Sequence, residues 1–144
     1  MYRFPGMTSR FNGQGGYLDM NKHRIMVVDD SRVVYAEMRK MLEGSEIEIA
    51  EFCRSGEEAL EKYESVQPEL VTLDIVMPGM DGMETCEAMR KRWPNAKIFM
   101  VSSMAYEDMI NHAAELGAMG FLFKPFTKES LLEGLRGALK AIAQ

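Results

Sequence analysis

From residue 23 onward, short apolar runs alternate with stretches in which apolar residues recur every three or four positions. The clearest runs are Ile25-Met26-Val27-Val28, Leu70-Val71-Thr72-Leu73, Ile98-Phe99-Met100-Val101 and Gly120-Phe121-Leu122-Phe123. They are strand-length and bounded by turn formers, which predicts strands near 24–28, 48–53, 69–73, 97–101 and 119–123. A run that is apolar at nearly every position has both faces buried, and the helical stretches between runs supply the cover. The pattern therefore reads as an α/β domain, a βα unit repeated five times around a parallel sheet.

The helical stretches carry their own start and stop signals. The first, about 31–43, places Val34, Met38, Met41 and Leu42 on one face, with Gly44 as a stop. The second opens on Ser55-Gly56-Glu57-Glu58, which reads as a capping box, and presents Ala59, Leu60 and Tyr63. A third starts at Asp81-Gly82-Met83-Glu84 and ends before Trp93-Pro94, because proline restricts the residue ahead of it. A fourth spans about 106–116 and stops at Gly117. The last, with Thr127 as N-cap, aligns Leu131, Leu135, Ala138, Leu139 and Ile142. Gly134 and Gly137 each cost it about 1 kcal/mol relative to alanine, so this helix must rely on docking.

Residues 1–21 lack any such period and hold four glycines, which predicts a disordered N-terminal tail ahead of a folded unit at 22–144. With 144 residues, 47% of them hydrophobic, the chain suits one domain with a proper core. A net charge of -5 without a basic stripe argues against a nucleic-acid partner. Cys53 and Cys86 form no paired or metal-binding pattern, which predicts reduced thiols and a cytoplasmic protein. No apolar stretch approaches the length that spans a bilayer, and the N-terminus lacks the apolar core of a secretory signal.

Parallel sheets gather ligands at the carboxyl ends of their strands. Asp29 and Asp30 follow the first run, Asp74 the third and Lys124 the fifth, so the topology would bring them together. Each has an innocuous explanation alone: an N-cap pair, a turn carboxylate, a solvated lysine. All of them together, at the ends of strands one, three and five, read as a site. Three carboxylates in one crevice repel unless a cation sits among them, and an oxygen-only donor set suits Mg²⁺. Asp74 precedes Ile75-Val76-Met77-Pro78-Gly79-Met80-Asp81-Gly82, a loop of tight turns that leaves the carboxylate anchored yet accessible. An aspartate so placed can attack phosphorus and form an acyl phosphate, with a metal offsetting the repulsion between anions. Lys124 would contact phosphoryl oxygens, and Ser102 or Ser103 could donate a hydroxyl hydrogen bond.

The segments Val-Val-Asp29-Asp30-Ser, Leu-Asp74-Ile-Val-Met-Pro78-Gly-Met-Asp81-Gly82, Val-Ser102-Ser and Phe-Lys124-Pro125-Phe, in this order and spacing, resemble the receiver domain of two-component response regulators. The likeness covers roughly residues 23–143 and is greatest to the single-domain chemotaxis members. It implies a flavodoxin-like doubly wound (βα)5 fold with strand order 2-1-3-4-5. It also implies Asp74 as phosphoacceptor, with Lys124 and Ser102 in the catalytic set. Mg²⁺ would be held by Asp29, Asp30, Asp74 and the backbone carbonyl of Val76. Ser102 and Phe121 would form the switch, and the Lys124-Pro125 bond would be cis. The partners implied are a sensor histidine kinase, a downstream protein such as a flagellar motor switch component, and a phosphatase. The chain would not be a turnover enzyme, catalysing only its own phosphorylation and dephosphorylation. The last helix ends at Gln144, so output is expected through protein contact.

Two departures bear on lifetime: Val76 and Met104 are apolar where such domains often carry polar side chains that influence water attack, which predicts slow or phosphatase-dependent decay. Phe121 also lacks a tyrosine hydroxyl. The alternatives within the class are a phosphorelay carrier passing its phosphoryl group to a second histidine protein, or a receiver fragment of a larger regulator. An aspartyl phosphatase would need a carboxylate two residues after Asp74, where Val76 stands. A flavin carrier would need a Ser/Thr/Gly-rich phosphate loop in place of Asp29-Asp30-Ser31-Arg32.

Overall fold

Successive residues of the first strand point to opposite faces of the sheet, and both destinations are apolar. Ile25 and Val27 join one buried cluster, Met26 and Val28 the other. The computed structural model describes residues 9–11, 17–19, 22–104 and 106–144. In chain order the main elements are β1 (His23–Val28), α1 (Arg32–Leu42), β2 (Ile47–Cys53), α2 (Gly56–Val66), β3 (Leu70–Asp74), α3 (Gly82–Arg92), β4 (Ile98–Ser102), α4 (Glu107–Glu115), β5 (Gly120–Phe123) and α5 (Lys128–Ala143). The strands form one parallel sheet in the order β2-β1-β3-β4-β5, the flavodoxin-like arrangement that the resemblance implied. The predicted tail at 1–21 lies outside the described residues apart from Ser9–Phe11 and Tyr17–Asp19, which pair antiparallel.

Helices α1 and α5 cover one face, where Met38, Leu42, Leu131, Leu135 and Leu139 meet Ile25, Val27, Phe99 and Val101. On the other face Ala59, Cys86, Met89 and Ala113 of α2, α3 and α4 meet Val28, Leu73, Ile98 and Met100. Each fully buried aliphatic side chain contributes about 1.5–3 kcal/mol, so the two layers together supply the driving force for folding.

Most predicted caps hold, and one rearranges. Ser55 caps α2 by accepting from the Glu58 amide, but the Glu58 carboxylate accepts from the Arg54 amide at 2.9 Å, so the reciprocal half of the expected box is missing. Asp81 and Glu84 do form a full capping box on α3. Gly134 costs α5 intrinsic stability, yet a Cβ there would sit 3.0 Å from the Phe99 ring. Its bareness lets the helix dock. Gly137 has open space where a Cβ would go, so its cost is uncompensated.

Candidate functional site

The site begins where the ladder of β1 runs out. The Asp29 amide still donates to the Cys53 carbonyl at 3.0 Å, and the chain then turns as Asp29 Oδ1 accepts from the Ser31 amide at 2.9 Å. Ser31, not Asp30, caps α1 by accepting from Val34 N at 3.2 Å. The capping explanation for the acidic pair is thereby removed, since α1 has its cap without the Asp30 carboxylate. Asp74 ends β3, the central strand, and pairs with Val101 of β4.

The loop after Asp74 is held from below by Ile75 and Met77, both buried, while Val76 between them is 53% exposed. Gly82 closes the loop: its amide donates to the Ile75 carbonyl at 2.7 Å, and a Cβ there would run into the Asp74 carbonyl oxygen. Gly82 therefore allows α3 to start against the backbone of Asp74. The Asp81-Gly82 pair read as a turn and a helix start, and nothing local in the sequence announced this close approach.

Lys124, which follows β5, brings its Nζ to 2.7 Å from Asp29 Oδ2 and 3.4 Å from Asp74 Oδ2. Its peptide bond to Pro125 is cis, as the resemblance implied. One carboxylate oxygen from each of Asp29, Asp30 and Asp74 lies within 4.8 Å of the others. Burial, followed by the charges of Asp29 and Asp30, pushes the Asp74 carboxyl up to about 6, against the opposing pull of Lys124. One ammonium among three carboxylates leaves the cluster short of positive charge. An oxygen-only donor set with this deficit fits a hard divalent cation such as Mg²⁺, which keeps several of its own waters and takes few protein ligands.

The side-chain hydrogen bond of Ser102 is made to its own loop. This serine ends β4, is fully buried, and its Oγ accepts from the Met104 amide at 3.1 Å. By strand alternation it belongs with Ile98 and Met100, on the face opposite Phe99 and Val101. Its link to Lys124 runs through the backbone, where the Lys124 amide donates to the Ser102 carbonyl at 2.9 Å. Ser103 is exposed. Phe121 packs half-buried against the cluster under α2, α3 and α4, tilted on Phe123 with ring centroids 5.2 Å apart.

The response regulator receiver domain family matches residues 25–136. The chemotaxis protein CheY of Listeria monocytogenes is 36% identical over 117 residues, covering 81% of this chain and 98% of the relative. Among solved structures, the CheX-CheY-BeF3-Mg²⁺ complex from Borrelia burgdorferi superposes with a TM-score of 0.77 at 27% identity, over 80% of this chain and 87% of that one. A CheY-like receiver domain protein from Methanospirillum hungatei gives a TM-score of 0.75 at 29% identity, over 85% and 97%. A family match over most of the folded part, with relatives aligned along nearly their whole length, admits one assignment: the chain belongs to the response regulator receiver domain family.

Proposed function

We propose that residues 22–144 form a phosphorylation-activated signalling switch of the CheY type, which takes a phosphoryl group from the phosphohistidine of a sensor histidine kinase. The observation that carries this reading is the ammonium of Lys124 lying across Asp29 and Asp74 at the rim of a three-carboxylate cluster. An Asp74 carboxylate oxygen attacks phosphorus, the P–N bond breaks, and the imidazole leaves and takes up a proton. An acyl phosphate remains on Asp74. Asp29, Asp30, Asp74 and the Val76 carbonyl would hold Mg²⁺, which would supply charge compensation for the attack of an anion on an anion. Lys124 then exchanges its contact with Asp74 for one with a phosphoryl oxygen, as a fixed point charge.

The same event drives the switch. Ser102 Oγ accepts from the Met104 amide and its O–H remains to donate to the phosphoryl group, so turning the hydroxyl draws on the Met104 backbone to which it is bonded. Phe121 turns inward as the β4–α4 loop moves, and the surface made by α4, β5 and α5 changes. Met104, Tyr106, Met119 and Phe123 expose apolar surface on the loops and edge strand of that region. The output is protein binding in the cytoplasm, in chemotaxis through a flagellar motor switch component, a reading supported by the CheY relatives. The complex of the Borrelia CheY with CheX supports a protein partner. Neither Val76 nor Met104 can hydrogen-bond an attacking water through its side chain, so the acyl phosphate decays slowly and depends on a phosphatase.

Intact mass after incubation with Mg²⁺ and acetyl phosphate tests the chemistry. The expected result is a single phosphoryl adduct, absent from Asp74→Asn and from wild type in excess chelator. An adduct that survives in Asp74→Asn, or none in wild type, would overturn the assignment.

A further inference from the structure

The loop between Asp74 and α3 has to hold its shape while its apex faces solvent. Ile75 and Met77 anchor its first half, and Gly82 and the Asp81–Glu84 box anchor its end. Between these, Pro78 and Gly79 are exposed, and Gly79 takes a φ of +73°, a conformation that the chain must be held in. The hydrogen bond that reaches this apex from another element comes from α2: Glu57 Oε1 accepts from the Met80 amide at 3.2 Å. The first turn of α2 is brought there by Gly56, where a Cβ would overlap the Thr85 hydroxyl of α3 and lie 3.3 Å from the Met80 side chain. Arg54, just ahead of that turn, extends toward the other side of the site, its Nη2 3.5 Å from the Asp30 carbonyl.

We propose that Glu57 is a positioning residue for the acceptor site: its carboxylate holds the apex of the β3–α3 loop, and so sets the backbone beside Asp74 before a cation arrives. The inference rests on the functional reading above. Glu57 itself touches neither phosphoryl group nor metal. Its neighbour Glu58 is occupied elsewhere, by the Arg54 amide and by Lys62 at 3.0 Å, so it does not substitute for Glu57. Removing the clamp leaves the Met80 amide to water and frees the Gly79 turn. Mg²⁺ binding must then order the loop as well as neutralise the acids.

The test compares wild type, Glu57→Ala and Glu57→Gln. Hydrogen exchange is read at the Met80 amide, Mg²⁺ titrations are followed by backbone amide resonances, and thermal unfolding and the acetyl phosphate adduct are measured alongside. In Glu57→Ala the Met80 amide exchanges at least about tenfold faster, and half-saturation needs roughly three- to tenfold more Mg²⁺, the worth of one modest hydrogen bond. The melting temperature stays within about 2 °C, because the side chain is exposed. Glu57→Gln keeps the acceptor oxygen but loses the charge, and stays within about twofold of wild type. A Glu57→Ala protein that titrates like wild type would refute the inference, as would a glutamine variant weakened as much as the alanine one, since charge alone would then explain the effect. A wild type that forms no adduct while the titrations still separate the variants would overturn the phosphoacceptor reading and uphold the clamp.

Discussion

In metal-free protein at pH 8, Asp74→Asn should raise stability, although it deletes a contact with Lys124. The Asp74 carboxyl is pushed up to about 6 from an ordinary 3.8, first by burial and then by the neighbouring Asp29 charge. A carboxyl that holds its proton more tightly when folded makes the folded state bind more protons between those two values, so stability falls as pH rises through that window. About two pK units, at 1.36 kcal/mol each, set the penalty above pH 6 at about 3 kcal/mol. Little screening is expected, since the side chain is only 7% exposed. That shift is already net of the pull of Lys124, 3.4 Å away, so asparagine, which carries no charge, escapes the whole of the penalty. The gain is about 3 kcal/mol, or roughly 10 °C in melting temperature for a domain of this size. Thermal unfolding by circular dichroism in excess chelator measures it directly. The gain should vanish near pH 4, where the wild-type carboxyl is protonated as well. Added Mg²⁺ should raise the wild-type melting temperature more than that of the variant. A variant no more stable than wild type at pH 8, or an advantage that persists unchanged at pH 4, would refute the argument.

Gly137→Ala should stabilise the protein by about 1 kcal/mol in urea unfolding, while Gly134→Ala gains nothing or loses stability because its methyl presses on Phe99; equal effects would contradict the docking account. Thr72, buried in the middle of β3, has a hydroxyl with no partner among the described residues, so Thr72→Val should gain about 1 kcal/mol by the same assay, and a loss would mean the hydroxyl is satisfied. Burial pushes the Cys53 and Cys86 thiols up to about 12 and about 11, which keeps them protonated at pH 8. A disulfide reagent should label them at least about a hundredfold more slowly in native than in unfolded protein, and rapid native labelling would count against that burial.

The sequence disclosed what is local. Five strands and five helices were legible because each announces itself by period and cap, and the strand ends differ from expectation in an instructive way. The third and fourth strands extend to Asp74 and Ser102, one residue beyond the apolar runs, because the backbone ladder continues under polar side chains. A reading by hydrophobicity stops where side chains change character, and pairing does not. Convergence of Asp29, Asp30, Asp74 and Lys124 was also legible, since strand ends in a parallel sheet share one edge. Contacts between elements were not. Gly134 looked like a cost until Phe99 was found beneath it, and Glu57 was only part of a capping-box segment until the Met80 amide was found above it. Glu58 likewise turned from the expected Ser55 amide to that of Arg54, a choice that propensity does not predict.

The face that each residue occupies explains how one site can bind charge and still move a distant surface. Asp29 and Asp74 share strand parity with the residues under α1 and α5, whereas Ser102 and Phe121 share it with those under α2, α3 and α4. Before phosphorylation Asp74 bonds to Lys124 and Ser102 to the Met104 amide, and on the proposed reading the two sites meet only when Ser102 donates to the phosphoryl group. The connection runs through β4 and β5, which are hydrogen-bonded from Phe99↔Gly120 to Ser102↔Phe123 and closed by the Lys124 amide on the Ser102 carbonyl. On the proposed reading, the lysine that meets the phosphoryl group and the serine that must turn toward it are ends of one ladder. Ser102 Oγ keeps accepting from the Met104 amide as its O–H turns, and the loop carrying Met104 leads into α4. On that reading the route from phosphorylation to partner surface is short and runs along the paired backbones of β4 and β5, with Phe121 turning against the layer under α2, α3 and α4.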